Sequence, residues 1–64
     1  MEGVAALIRW HIKERGITQA QLAEKAGMTA STLSRRLADP GAFRVAELIK
    51  IFRALKIPEE ERVI

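Results

Sequence analysis

Residue types that could carry catalysis or hold a metal ion are scarce in this sequence of 64 residues. His11 is the only histidine, and the chain has no cysteine. A zinc site with thiolate ligands and any disulfide are therefore excluded. Nucleophilic catalysis needs a nucleophile beside a base, and we find no such arrangement and no carboxylate pair in a plausible cleft. We expect no enzymatic activity and no cofactor.

The charged side chains favour a polyanionic partner instead. Residues 1–58 carry ten lysines and arginines against five acids, a net +5, whereas residues 59–64 carry three glutamates against Arg62, a net −2. A basic body with few aromatic residues fits the phosphates of duplex nucleic acid. Many small domains are equally basic, so charge favours this partner without identifying it.

Composition and hydropathy patterning indicate one all-α domain over residues 1–64. The chain is 48% hydrophobic, which is too apolar for a disordered protein. No run of β-branched residues alternates with polar ones, so strands are not expected. The longest apolar run near the start, residues 4–8, is too short for a signal peptide or a membrane span. We therefore expect a cytoplasmic protein with no membrane association.

Apolar periodicity and capping signals predict five helices, at about 3–15, 19–26, 30–38 and 45–55 and from Pro58 onward. Thr18 with Gln21 has the spacing of a capping box, and Thr29 is the expected cap of the third helix. Gly16 and Gly27 can adopt the left-handed conformation that ends a helix. Phe43, after the turn at residues 39–41, is expected to plug the core.

The second and third helices, joined by a tight turn at Gly27, form a helix-turn-helix that closely resembles the one in Cro/C1-type (XRE) phage repressors. The resemblance covers about residues 4–57. The matching residues are Thr18, Gln19, Leu22, Ala23, Gly27, Thr29, Thr32, Leu33, Ser34 and Arg35, followed by the apolar stripe that ends at Leu55. The resemblance implies a compact five-helix, lambda-repressor-like fold and a sequence-specific transcriptional regulator that binds double-stranded DNA. In such proteins the helix after the turn enters the major groove. No small-molecule effector is expected.

Candidate base-reading residues lie on the third helix, once Leu33 and Leu37 are assigned to the core. The family's base-contacting positions correspond to Thr29, Ala30, Ser31 and Arg35, with Ser34 beside them. Arg35 is the leading candidate, because guanidinium can bond both O6 and N7 of guanine. The alternative is that Arg35 is an ordinary surface charge or a phosphate contact.

Three further residues are candidate phosphate contacts. Gln19 stands in the first turn of the second helix, at a position that the family uses for this purpose. Arg44 replaces the usual capping serine or threonine of the fourth helix, so we expect no side-chain cap there. Arg36 stands where the family commonly has an apolar residue, so its methylenes are expected to lie on the domain while its head reaches the DNA backbone.

Two departures from the family pattern concern the core. Many members pair an arginine in the first helix with a glutamate late in the third, and the corresponding residues here are Ile12 and Leu37. This joint replacement predicts that their side chains pack together, because one charge left buried alone would be costly. His11 replaces a leucine and is expected to be a partly buried structural residue.

Proteins of this type usually bind DNA as two-fold dimers, and a weak homodimer is expected here. The interface must then use apolar residues left over from the core, and the candidates are Trp10, Ile51, Ile57, Val63 and Ile64. Some of these side chains could instead close the core of the monomer. The rival function is a protein-interaction module of helix-turn-helix fold, antitoxin-like or scaffolding, that binds a protein partner through Trp10, Ile51, Val63 and Ile64.

Overall fold

Four α-helices and two short 3-10 turns form the described part of the chain, residues 2–61, in this computed structural model. The helices are α1 (Glu2–Arg15), α2 (Gln19–Lys25), α3 (Ala30–Ala38) and α4 (Val45–Leu55). The 3-10 turns are Pro40–Ala42 and Glu59–Glu61. Each of the first four predicted helices agrees with the structure to within one residue at both ends. Within residues 2–61, no helix is long and apolar enough to cross a membrane.

The prediction of a fifth α-helix was wrong for the described residues. After Pro58 the chain makes only the 3-10 turn Glu59–Glu61, closed by the Glu61 N–H donating to the Pro58 carbonyl at 3.0 Å. A first helical turn is costly to form, and this segment of three consecutive glutamates brings no apolar side chain whose burial could offset that cost. Residues 62–64 lie outside the described part.

Local signals set the helix ends. Thr18 Oγ1 accepts from the Gln21 N–H at 3.0 Å, and Gln21 Oε1 accepts from the Thr18 N–H at 2.9 Å, so the capping box is confirmed. Thr29 Oγ1 caps α3 by accepting from the Thr32 N–H at 3.1 Å. Gly16 (φ 63°) and Gly27 (φ 73°) adopt the left-handed conformation, as predicted. The start of α2, its end at Gly27 and the start of α3 are therefore specified within a few residues of sequence.

One hydrophobic core joins all four helices, and α2 packs on both α3 and α4. Ala23 is buried on α2, where a small side chain lets a neighbouring helix approach closely. Phe43 packs against the core from the turn, as predicted. Ile12 and Leu37 both belong to the core cluster, and their direct contact stays a prediction.

Two of the five dimer candidates were assigned wrongly. Ile51 is 0% exposed and Ile57 is 1% exposed, so both belong to the monomer's core and cannot form a dimer surface. Ile51 stands three residues after Leu48 and four before Leu55, so the three side chains share the buried face of α4. Trp10 is 56% exposed. Val63 and Ile64 lie outside the described residues.

His11 is nearly fully buried, as a structural residue of α1. Its Nδ1 lies 2.6 Å from Arg15 Nη1. Arginine can only donate, so Nδ1 accepts and the proton of the neutral ring is on Nε2. Nε2 has no hydrogen-bond partner among the described residues and lies 4.0 Å from Glu61 Oε1. The ring thus faces the turn that follows Pro58.

Candidate nucleic-acid interface

The outer face of α3 carries the five residues predicted to read bases. Leu33 and Leu37 are buried on the opposite face, which is the arrangement that the apolar spacing predicted. The exposed residues are Thr29, at the N-cap, followed by Ala30, Ser31, Ser34 and Arg35. The structure therefore exposes all five of these residues to solvent. Their contact with DNA stays a prediction.

Thr32 links two of these side chains, and sequence reasoning did not assign it a role in the site. Thr29 Oγ1 donates to Thr32 Oγ1 at 2.9 Å, and Arg35 Nη2 lies 3.5 Å from the same oxygen. The second contact is long and correspondingly weak. Both contacts hold a polar group, the hydroxyl of Thr29 or the guanidinium of Arg35, close to Thr32. The i, i+3 spacing of Thr29, Thr32 and Arg35 is the signal that could have revealed this row.

Gln19 is exposed at the first position of α2. Its neighbour Gln21 has the same amide group but uses its Oε1 in the capping box with Thr18. The two glutamines therefore differ in role: Gln21 holds the helix end in place, while the side chain of Gln19 faces solvent.

Arg44 is exposed at the N-cap of α4 and makes no side-chain cap, as predicted. Its backbone N–H donates to Glu47 Oε1 at 2.9 Å. This is half of a capping box, since an arginine side chain has no acceptor with which to return the bond. The guanidinium group of Arg44 therefore takes no part in capping α4.

Arg36 is half-buried and forms an ion pair across the turn between α3 and α4. Its Nε donates to Glu47 Oε1 at 3.1 Å. The half-buried position agrees with the expectation that its methylenes lie on the domain. Part of its charge is neutralised within the protein, so Arg36 presents less positive charge to a phosphate than Arg44 does.

Comparison with known protein families identifies this arrangement. A family model described as helix-turn-helix matches residues 8–62, which is most of the chain. The chain belongs to the Cro/C1-type (XRE) helix-turn-helix family. No curated protein and no solved structure matched the sequence. The family is one of DNA-binding transcription regulators.

Glu47 is a residue of this helix-turn-helix domain that sequence reasoning missed. One of its carboxylate oxygens accepts from both the Arg44 backbone and the Arg36 side chain. The bond from the Arg44 N–H and that from Arg36 lower the pKa of Glu47 below its ordinary value, against a smaller opposing effect of burial. A glutamate three residues after a helix cap was the available sequence signal.

Arg9 holds the C-terminal end of α3 in this family member. Its Nη2, on α1, donates to the carbonyl of Leu37 in the last turn of α3 at 3.3 Å. A cation near the C-terminus of a helix interacts favourably with the unpaired carbonyls and the helix dipole. Nothing local in the sequence indicates this contact, because 28 residues separate the two partners.

No cluster of three or more potential metal ligands occurs among the described residues of the domain. The first turns of α2 and α3 contain no acidic residue. The starts of α2 and α3 therefore bring no negative charge that would repel a phosphate backbone, whereas the first turn of α4, behind Arg44, contains Glu47.

Proposed function

We propose that this protein is a sequence-specific double-stranded DNA-binding transcriptional regulator of the phage repressor or Cro type, which reads the major groove with α3. The observation that carries the proposal is the exposed face of α3, where the hydroxyl groups of the first turns and Arg35 are open to solvent and the first turn holds no acidic residue. Membership of the helix-turn-helix family supports it.

Different side chains of α3 make different kinds of contact with the bases. Arg35 bonds guanine through its paired guanidinium nitrogens, and the hydroxyls of Thr29, Ser31 and Ser34 bond adjacent base edges. Ala30 contributes a methyl contact to thymine. This set favours a site with a guanine opposite Arg35 and less strict preferences beside it.

The phosphate contacts fix the protein on the duplex. The side chains of Gln19 and Arg44 are exposed and have no hydrogen bond to another side chain among the described residues, so we assign both to the phosphate backbone of the DNA. Arg36 is a third, weaker contact, because Glu47 shares its charge. These contacts orient α3 and carry no sequence information themselves.

The protein binds its operator as a homodimer, because one such module buries only about 600–1,000 Å² on DNA. Trp10 is the dimer candidate that the described residues leave exposed, and Ile51 and Ile57 are excluded by burial. A two-fold dimer places its two recognition helices about 34–36 Å apart, so that the half-sites are centred one turn of DNA apart. Sedimentation with and without duplex tests this, and a 1:1 complex on a non-repeated site would contradict it.

Selection from random duplex sequences, followed by sequencing, tests the proposed function. We expect a palindromic site whose affinity falls steeply as salt rises, because counterions are released from the phosphates that the protein contacts. A protein-interaction module that uses an apolar surface around Trp10 would show little salt dependence in its own complex. Absence of measurable duplex affinity at low salt would refute DNA binding and favour that alternative.

A further inference from the structure

A groove between the C-terminal half of α4 and the end of α2 is lined by three cations. It has a volume of about 500 Å³. Its rim carries Lys25, Lys50 and Arg53, and its floor is formed by Ala26, Gly27 and Ala54. The three cationic residues are exposed. The groove therefore combines a positive rim with a floor of small residues that lets a ligand approach the backbone.

The positive charge of this groove is not neutralised within the described part of the chain. Arg36 and Glu47 form the ion pair between described residues, and His11 Nε2 lies 4.0 Å from Glu61 Oε1. Neither contact involves Lys25, Lys50 or Arg53. Three like charges on one concave surface repel one another, and an anionic ligand would relieve that repulsion.

The groove lies away from the proposed DNA-binding surface, an argument that rests on the proposed function. Gln19 and Arg44 stand at the N-terminal ends of α2 and α4, whereas the groove uses the C-terminal parts of the same helices. Arg53 is nine residues beyond Arg44, or about 13 Å along the helix axis. Nine residues correspond to about two and a half helical turns, so these two arginines also lie on opposite sides of α4. Gly27 is the groove residue nearest in sequence to the proposed base-reading positions, whereas Lys50 and Arg53 lie toward the opposite end of α4 from Arg44.

We propose that this basic groove is a second binding surface, which takes an acidic segment of a partner protein. Charge complementarity selects an anionic partner. The apolar floor selects a peptide, because glutamate and neighbouring aliphatic residues bring methylenes to pack on the partly exposed Ala54 as well as carboxylates to meet the rim. The protein would thus hold DNA on one side and an acidic peptide on the other.

Binding of a fluorescent synthetic peptide that alternates glutamate and leucine tests the proposal, measured by anisotropy with the full chain. The matched probe alternates glutamine and leucine. We expect saturable, salt-sensitive binding of the acidic probe and none of the neutral one. The double variant Lys50→Ala/Arg53→Ala should weaken acidic-probe binding about fivefold to tenfold, because it removes two of the three rim charges. Absence of saturable binding by the acidic probe would overturn the proposal.

Two controls separate this surface from general basicity and from DNA binding. Lys13→Ala/Lys56→Ala removes the same charge outside the groove and should leave probe affinity unchanged. Arg35→Ala should lower duplex affinity but not probe affinity, whereas the groove double variant should keep duplex affinity within about twofold. Equal loss of probe binding in both double variants would overturn the proposal. A parallel loss of duplex binding in the groove variant would also overturn the proposal, because DNA would then be the occupant of the groove. A change in the self-association of that variant would overturn it too, because the occupant would then be a second copy of the chain. Failure of duplex binding with the probe result intact would refute only the proposed DNA function.

Discussion

Glu47 on α4 accepts a hydrogen bond from Arg36 on α3, with 3.1 Å between Oε1 and Nε. The same oxygen lies 2.9 Å from the backbone nitrogen of Arg44. One carboxylate therefore joins the last turn of α3 to the start of α4, across the 3-10 turn Pro40–Ala42. The position of the candidate phosphate contact Arg44 depends on this link.

Replacing Glu47 by Gln should lower the free energy of unfolding near neutral pH by about 0.5–1.5 kcal/mol, since both hydrogen bonds lose the acceptor's charge. The pKa of Glu47 is lower in the folded than in the unfolded chain. Ionised Glu47 therefore stabilises the folded chain fully when the pH is above 4.5, its ordinary pKa, and this stabilisation is lost as the pH falls through the lower pKa of the folded state. Urea unfolding of both proteins at neutral and acid pH measures this. Glu24→Gln, at an exposed position of α2, is the control, and a stability difference that persists unchanged at acid pH would contradict the prediction.

Replacing Arg35 by Ala should cost about 1–3 kcal/mol of binding on the selected site and relax the preference at one base pair. The reason is that a bidentate contact to guanine discriminates between bases. Arg44→Ala should instead weaken binding to all duplexes alike and reduce the salt slope by about one. Titrations on the selected site and on single-base variants at several salt concentrations distinguish the two. A uniform loss for Arg35→Ala would reassign that residue to phosphate.

Thr18 and Thr29 cap consecutive helices and form a matched pair. Alanine at either position should lower the free energy of unfolding by about 1 kcal/mol, through loss of one capping bond. Thr29→Ala should in addition alter base preference, because its hydroxyl lies on the exposed face of α3 and bonds Thr32. Thermal unfolding gives the stabilities and repeated selection gives the preferences. The base-reading role of Thr29 fails if both variants select the same site as the parent.

Lys56 ends α4 in the left-handed conformation, with φ 56°. This backbone conformation costs a non-glycine residue about 1 kcal/mol or more. Lys56→Gly should therefore raise the free energy of unfolding by about 0.5–1 kcal/mol, after allowance for the greater entropy of glycine in the unfolded chain. Lys56→Ala keeps the strain and should give no such gain in the same denaturant titration. Equal stabilities for the two variants would show that the strain is negligible.

Placement of the candidate site followed largely from local sequence. Alternation of buried Leu33 and Leu37 with polar residues fixes which side of α3 faces solvent, so Arg35 and its neighbours could be assigned to one surface. The capping bonds that organise the site were only partly predictable. Thr29 was identified as a cap, but the links through Thr32 and Glu47 depend on side-chain directions that spacing alone does not determine.

By itself, the sequence determined the four α-helices, their threonine caps and the glycines that end α1 and α2. Each of these depends on hydrogen bonds and backbone preferences within about four residues along the chain. Only the tertiary structure determined where Ile51 and Ile57 lie: they were expected at a dimer surface and are buried in the core. It also decided the contact of Arg9 with Leu37, whose partners are 28 residues apart. Burial and long-range contacts depend on which elements surround a side chain, and that is fixed only when the helices pack together.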